Sequence, residues 1–296
     1  MSNTKEKEPL GHHMVIKLAD NRVIARDDAE RRIVAFKVLT ISRDHELLAF
    51  GLPDSHLHIE NAEDWAACGL FAHRVETSLQ HALKLKVSFR PVSRTPIIKP
   101  RHLYNTFRYN LRQPEHHGIT TDPLHEASNL PDLLELRLIG QHTIENQKSQ
   151  LPRVTDADLL EWLGVERLDA DADVPYDPIA EAVKSAACLS ELKGRSAEQV
   201  AAKIAAVHAV RGRLPDAQLA RQLQLGERRI REIRAKQSPN EALVKAIRLQ
   251  LHLRHLKRDE LQRPRPPRSD KSWWPPQPEP QSLSRAQAPS LARRSR

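Results

Sequence analysis

Cysteine is nearly missing from this sequence. The two that occur, Cys68 and Cys188, lie far apart and neither belongs to a C-x-x-C pair. That excludes a disulfide framework and a cysteine zinc site, and it fits a reducing compartment. No apolar run approaches the roughly 18 residues of a membrane helix, and no stretch has the short apolar segment of a signal peptide. The expectation is a soluble, cytoplasmic protein without a membrane partner. Hydrophobic residues make up only 39% of the chain, low for 296 residues that would all be globular, whereas proline is plentiful at 21. The length leaves room for one large domain, or two small ones with tails. Positive charge is in excess: Lys and Arg number 47 against 38 Asp and Glu, for a net charge of +9. A pI near 9.7 suits a polyanionic partner.

Two stretches carry residues with chemistry at ordered spacing. In Ser55-His56-Leu57-His58 the two imidazoles are two residues apart. On a strand they project from one face, while Leu57 turns to the other and into the core. In residues 101–119, Tyr109 precedes Gln113 by one helical turn, so phenol and amide share a face. Brought together, His56, His58 and Gln113 are three neutral ligands for a divalent metal with a phenol beside them. Such a site is suited to attack on a phosphodiester. The competing reading of His56 and His58 is a pair of ordinary strand residues in a chain with 15 histidines.

The spacing resembles the single-tyrosine HUH transposases, above all those associated with repetitive extragenic palindromes (REP-associated, IS200-like). In that family a strand reading roughly Met-Pro-Asn-His-Val-His precedes a helix reading roughly Tyr-x-x-x-Asn-Pro-x-x-x-Gly-Leu. The counterparts here are Leu52-Pro53-Asp54-Ser55-His56-Leu57-His58 and the run from Tyr109 through Gln113, Pro114 and Gly118 to Ile119. The resemblance covers about residues 10–145. It implies Tyr109 as nucleophile and His56, His58 and Gln113 as ligands of Mg²⁺ or Mn²⁺. It further implies cleavage of single-stranded DNA beside a hairpin through a 5′-phosphotyrosine. The implied fold is α+β, a small ferredoxin-like antiparallel sheet with helices on one face. Single-stranded or hairpin DNA is the partner, a homodimer is compatible with this reading, and the place is the bacterial cytosol in association with the nucleoid.

In chain order, residues 1–13 read as a polar, flexible N-terminus in which His12 and His13 form a solvated pair. The transposase-like domain is expected over 14–148. Residues 14–24 read as strand and turn, and the acidic run Asp27-Asp28-Ala29-Glu30 opens a helix to about Ser42. Residues 46–59 read as a hairpin broken at Pro53-Asp54, 64–86 as an amphipathic helix, and 87–98 as containing a strand. Pro96 and Pro100 then set up the tyrosine helix. Tyr104 and Tyr109 point about 140° apart on it, so only one can face a metal; the family spacing selects Tyr109. Arg90, Arg94, Lys99, Arg101, Arg108 and Arg112 make this region basic, and Arg108 and Arg112 are candidates for DNA phosphates. Residues 124–144 read as a further helix.

From 149 to 182 an acidic linker is expected, with a short helix around 156–163. Over 151–177 it holds eight Asp/Glu against two Arg. A second unit over 183–262 contains Ala220, Leu225, Ile230 and Ile233 at the spacing of a helix-turn-helix, with Gln224 where glycine is preferred in the turn. Arg228, Arg229 and Arg231 would line its second helix toward DNA, and a long helix over 238–263 closes the unit. Residues 263–296, rich in Pro, Arg and Ser, read as a disordered basic tail that adds salt-sensitive nucleic-acid affinity. In it Trp273 and Trp274 are candidates for stacking on bases. Two further readings stand beside the transposase. One is a catalytically decayed, domesticated DNA-binding or regulatory protein, suggested by Ser55 where the family has asparagine. The other is an unrelated metal-dependent hydrolase with water as nucleophile.

Overall fold

The computed structural model describes residues 8–112, 122–210 and 212–263. It is a mixed α/β protein built on one four-stranded antiparallel sheet. The strands are β1 (Gly11–Lys17), β2 (Leu47–Gly51), β3 (His56–Asn61) and β4 (Ser93–Ile97). Their order across the sheet is β2-β3-β1-β4. Helix α1 (Asp28–Ile41) joins β1 to β2, and α2 (Trp65–Ala82) joins β3 to β4. Both helices start where a carboxylate takes up orphan amides. The Asp27 side chain accepts from Glu30 N, and the Asp64 side chain accepts from Ala66 N and Ala67 N.

Alternation decides which residues meet which layer. Met14 and Ile16 of β1 and Leu57 and Ile59 of β3 are fully buried with Val34, Val38, Phe71 and Val75 of α1 and α2. The opposite face therefore receives His13, Val15, His56, His58 and Glu60. It is covered by α3 (Pro100–Leu111), whose Leu103, Phe107 and Leu111 pack with Leu48, Ala49 and Ile97. Helices thus cover both faces of the sheet rather than the one face expected, because the tyrosine helix packs across from α1 and α2. Proline at its first position is favourable, since that amide has no partner in a helix.

β1 includes His12 and His13, which are expected from the sequence to form a solvated pair ahead of the fold. His12 is instead buried on the α2 side, where its Nδ1 is 2.9 Å from the Glu63 carbonyl oxygen. The outer edge of β2 is closed by the segment after α3. Asn129 Oδ1 accepts from Phe50 N at 2.9 Å, Asn129 Nδ2 donates to Leu48 O at 3.0 Å, and Leu52 N donates to Ala127 O at 3.0 Å. An edge strand so covered offers no template to another chain.

Residues 124–144 are not one helix. They hold only α4 (Leu130–Leu133) and the start of α5 (His142–Gln150). The reason lies in buried side chains that take over backbone partners, a competition that disfavours helix. Asp132 accepts from Gly140 N at 2.9 Å, and Arg137 donates to the Glu126 carbonyl at 2.9 Å while pairing with Asp132. The acidic segment carries α6 (Asp156–Leu163), capped by Thr155 and Asp158 in a reciprocal box. Its Trp162 is buried, with its ring centroid 6.0 Å from Phe107 and 6.5 Å from Tyr104.

The rest is helical: α7 (Ile179–Ala186), α8 (Ala197–Ala209), α9 (Asp216–Leu223), α10 (Glu227–Lys236), α11 (Glu241–Leu256) and α12 (Arg258–Gln262). α9 ends on Gln224 in the left-handed conformation, φ 54°, which is how the turn into α10 forms without the glycine expected there. α11 buries Val244, Ile247 and Leu251 among the other helices and Leu249 and Leu253 beside Trp162. A buried charge cluster reinforces this contact. Glu126 accepts from Arg32 of α1 at 3.0 Å and from Arg254 of α11 at 3.3 Å. Among the described residues no helix is long and apolar enough to cross a membrane.

Candidate active site

The face of the sheet under α3 gathers imidazoles. His56 and His58 both sit on β3, each buried with a relative exposure of 5%, and their ring centroids are 4.5 Å apart. On the neighbouring strand Val15 lies opposite His58 and His13 lies opposite Glu60. The diagonal pair His13 and His58 makes contact: the rings stack with centroids 5.2 Å apart, and His13 Nε2 is 3.0 Å from His58 Nδ1. Burial, followed by the nearby charge of His102, lowers the His13 pKa to about 4. His13 is therefore a neutral imidazole at physiological pH. Ser55, just ahead of the pair, places its Oγ 3.3 Å from His56 Nδ1.

Tyr109 reaches this group from α3. Its ring meets His58 edge-on, with centroids 5.5 Å apart and planes at 88°. Tyr109 is half-buried. Tyr104 points elsewhere and packs on Trp162. So the fold brings together three of the four residues singled out from the sequence: His56, His58 and Tyr109. The fourth, Gln113, lies outside the described residues, as do Pro114, Gly118, Trp273, Trp274 and the basic tail.

Two further groups belong to this layer. Glu60, on the same side of β3 as the histidines, is fully buried, and neither carboxylate oxygen has a hydrogen-bond partner among the described residues. Burial raises its pKa well above the usual carboxylate value. Asn110, beside Tyr109 on α3, is also fully buried with its amide unsatisfied among the described residues. Imidazole nitrogens and buried carboxyl or amide oxygens are both donor types that divalent metals accept, oxygen being the one preferred by Mg²⁺ and Mn²⁺. Among the described residues no three His, Cys, Asp or Glu side chains converge on one point. Sequence reasoning misses His13 because it groups this residue with a polar lead-in. The alternation of His13, Val15 and Lys17 against Met14 and Ile16 is the signal that could have found it.

The basic residues divide into two groups. Arg108 is exposed on α3 next to Tyr109, and Arg112 closes that helix half-buried. Arg90 and Arg94 are engaged in the fold instead. Arg90 Nη2 donates to Ala19 O at 3.0 Å, and Arg94 lies 3.7 Å over the Trp65 ring and donates to Trp65 O at 2.6 Å. On α10, Arg228, Arg229 and Arg231 are exposed, with Arg228 and Arg229 turned toward Glu232 at 3.1 Å and 3.4 Å. Arg234 pairs back with Asp216 of α9.

No protein-family model matches the sequence, and no curated protein matches it significantly. Among solved structures, a REP-associated tyrosine transposase bound to a REP hairpin is weakly similar. The likeness spans 40% of this chain and 75% of that one, at 17% identity and a TM-score of 0.31.

Proposed function

We propose that this protein is a transposase-like single-stranded DNA endonuclease and strand transferase that cuts beside a DNA hairpin with Tyr109 as nucleophile. The observation that supports this reading is the edge-on contact of Tyr109 with His58, itself packed on His56. In this reading residues 14–148 are a ferredoxin-like catalytic domain, and 149–182 connects it to a helical unit over 183–262. That unit holds a helix-turn-helix, with Arg228, Arg229 and Arg231 facing DNA.

His56, His58 and Gln113 would hold Mg²⁺ or Mn²⁺. When bound, the ion supplies Lewis-acid polarisation of the scissile phosphate. Two imidazoles and an amide carry no charge, so they leave the full positive charge of the site for an anionic substrate. The Tyr109 hydroxyl oxygen forms a bond to phosphorus, and the bond from phosphorus to the 3′ oxygen breaks. The phenolic proton is lost, and the departing 3′ oxygen takes one up to become a hydroxyl. A free phenol ionises only near pH 10, so Tyr109 needs help in losing its proton at neutral pH. The 5′-phosphotyrosine conserves the phosphodiester, so attack by a second 3′-hydroxyl reverses the chemistry and rejoins DNA without a nucleotide cofactor. Arg108 and Arg112, flanking Tyr109, would steady the phosphates on either side of the cut. A homodimeric assembly and residence in the bacterial cytosol near the nucleoid belong to the same reading.

The second reading, a decayed and domesticated DNA-binding regulator, is favoured by Ser55 in place of the asparagine of the resembled family. The test uses purified protein, Mn²⁺ or Mg²⁺, and labelled hairpin oligonucleotides from the DNA flanking its own gene. A covalent protein–DNA band on denaturing gels, dependent on metal and lost in Tyr109→Phe, is the expected result. Hairpin binding without an adduct selects the regulator. Cleavage that survives Tyr109→Phe selects a hydrolase with water as nucleophile.

A further inference from the structure

A second cleft, away from the histidines, lies between α8, the start of α10 and the loop that precedes α8. Its volume is about 640 Å³; Lys193, Arg195, Lys203 and Arg229 line it above an apolar floor that includes Ile204, Leu225 and Ile233. No aspartate or glutamate is among the described residues that line it. Arg229 is already turned toward Glu232 at 3.4 Å, whereas Lys193, Arg195 and Lys203 form no ion pair among the described residues. A concavity with this uncompensated positive charge attracts anions.

Lys203 is the strongest part of this evidence. It projects from the middle of α8, yet it is only 7% exposed. Its ammonium donates to the Gly194 carbonyl at 3.3 Å, a neutral acceptor, and no carboxylate approaches it within ion-pair distance among the described residues. A buried charge without a counter-ion is costly, and a lysine at this position has two more protons to donate. The loop carrying Lys193 and Arg195 is held in place. Gln199 Nε2 donates to Lys193 O at 2.7 Å, and Gly194 takes a φ of +132° that a side chain would resist. Gly226, the residue before α10, has no side-chain hydrogen bond capping that helix.

We infer that this cleft is a phosphate-binding site, and that its occupant is a backbone phosphate of the nucleic acid bound by the helical unit. This rests on the nucleic-acid reading of that unit. It adds Lys193, Arg195 and Lys203 to the contact surface, which a reading of α10 alone leaves out. Contacts of this kind fix the position of a protein on nucleic acid and carry no sequence information. The cleft would therefore set how α10 lies on its target.

The experiment measures binding of the full chain to a fluorescent hairpin oligonucleotide by anisotropy, at several salt concentrations. Lys193→Gln/Arg195→Gln removes two exposed charges and leaves the core untouched. Lys148→Gln/Arg153→Gln is the charge-matched control on another surface. Lys203→Met, checked for folding by circular dichroism, removes the buried ammonium. The expected result is roughly tenfold weaker binding for the cleft variants. The slope of log affinity on log salt should be shallower by about one for each phosphate no longer neutralised, with the control near wild type. Equal affinity and slope in cleft and control variants would overturn the inference. Calorimetric titration with inorganic phosphate separates the two sources of the anion. Phosphate binding abolished in the cleft variants while oligonucleotide binding is unchanged would overturn the backbone assignment in favour of a small phosphate. A wild-type protein that binds no oligonucleotide would instead overturn the nucleic-acid reading on which the inference rests.

Discussion

His13 of β1 and His58 of β3 are stacked and joined by a hydrogen bond, 3.0 Å from His13 Nε2 to His58 Nδ1. One of these nitrogens donates and the other accepts. When His13 Nε2 accepts, His58 keeps its proton on Nδ1, and its basic nitrogen is Nε2. That is the tautomer in which an imidazole can ligate a metal while its other nitrogen is held by a neighbour. In the proposed metal-binding reading His13 would thus act as a positioning residue for His58. His13→Ala is expected to weaken Mn²⁺ binding by about 10–100-fold, read by electron paramagnetic resonance of free Mn²⁺. His13→Gln, whose amide oxygen can accept the same proton, should recover part of that loss. Unchanged affinity in both variants would remove the positioning role.

The same layer predicts two opposite pH dependences of stability, measured by urea denaturation in the presence of a chelator. For His13 the folded pKa, about 4, lies below the ordinary 6.5. Between those values the unfolded chain binds more protons, so stability rises with pH there and is lost as pH falls. A His13→Phe variant should show a flatter slope over that window, by up to about 1.4 kcal/mol per pH unit. For Glu60 the folded pKa is raised by burial above the ordinary 4.5. The folded chain then holds the extra proton, and stability falls as pH rises above 4.5. Glu60→Gln should accordingly be more stable than wild type at pH 7, with the gain shrinking in acid. A Glu60→Gln variant less stable than wild type at pH 7 would mean the carboxylate has a favourable partner in solution.

Glu126 is shared by Arg32 and Arg254, and all three are buried. Removing the carboxylate charge leaves Arg254 without its ion pair and Arg32 with only Glu181, 3.7 Å away. Breaking a buried ion pair from one side costs about 3–5 kcal/mol. Glu126→Gln should lower the unfolding free energy in urea by that amount without changing the site around Tyr109. A loss under about 1 kcal/mol would show that water reaches the cluster.

Asn129 supplies both a donor and an acceptor to the outer edge of β2. Asn129→Ala would leave the Phe50 amide and the Leu48 carbonyl buried without these partners. Each unsatisfied group costs about 1–3 kcal/mol. The expected loss is of that order, together with a greater tendency to aggregate through the exposed edge. Native-state hydrogen exchange at the Phe50 amide should accelerate, and unchanged protection there would argue against this account.

Much of the site could be read from local pattern. The i, i+2 spacing of His56 and His58 settled that they share a strand face. The i, i+4 spacing of Leu103, Phe107 and Leu111 marks the buried side of α3, whereas Tyr109 was selected by the spacing of the resembled family. The starts of the helices at Asp27 and Asp64 were legible because a short acidic side chain there takes up free amides. These are interactions within a few residues, and the chain specifies them wherever it folds.

Tertiary structure decided what lies next to what. The strand order β2-β3-β1-β4 puts His13 beside His58 although 45 residues separate them. Alternation along β1 separates His13 from His12, which the same strand turns toward α2, but it does not say which residue His13 will meet. The break between α4 and α5 came from Asp132 and Arg137, whose carbonyl and amide partners exist only once Glu126 and Ser128 are in place. The basic cleft likewise draws Lys203 from one helix and Arg229 from another. Periodicity specifies which face of an element is apolar, but register and neighbours are set by the packing of distant segments. The sequence by itself therefore determined the strand face and the helix face that carry the chemistry, and only the assembled sheet and helices determined which groups surround them.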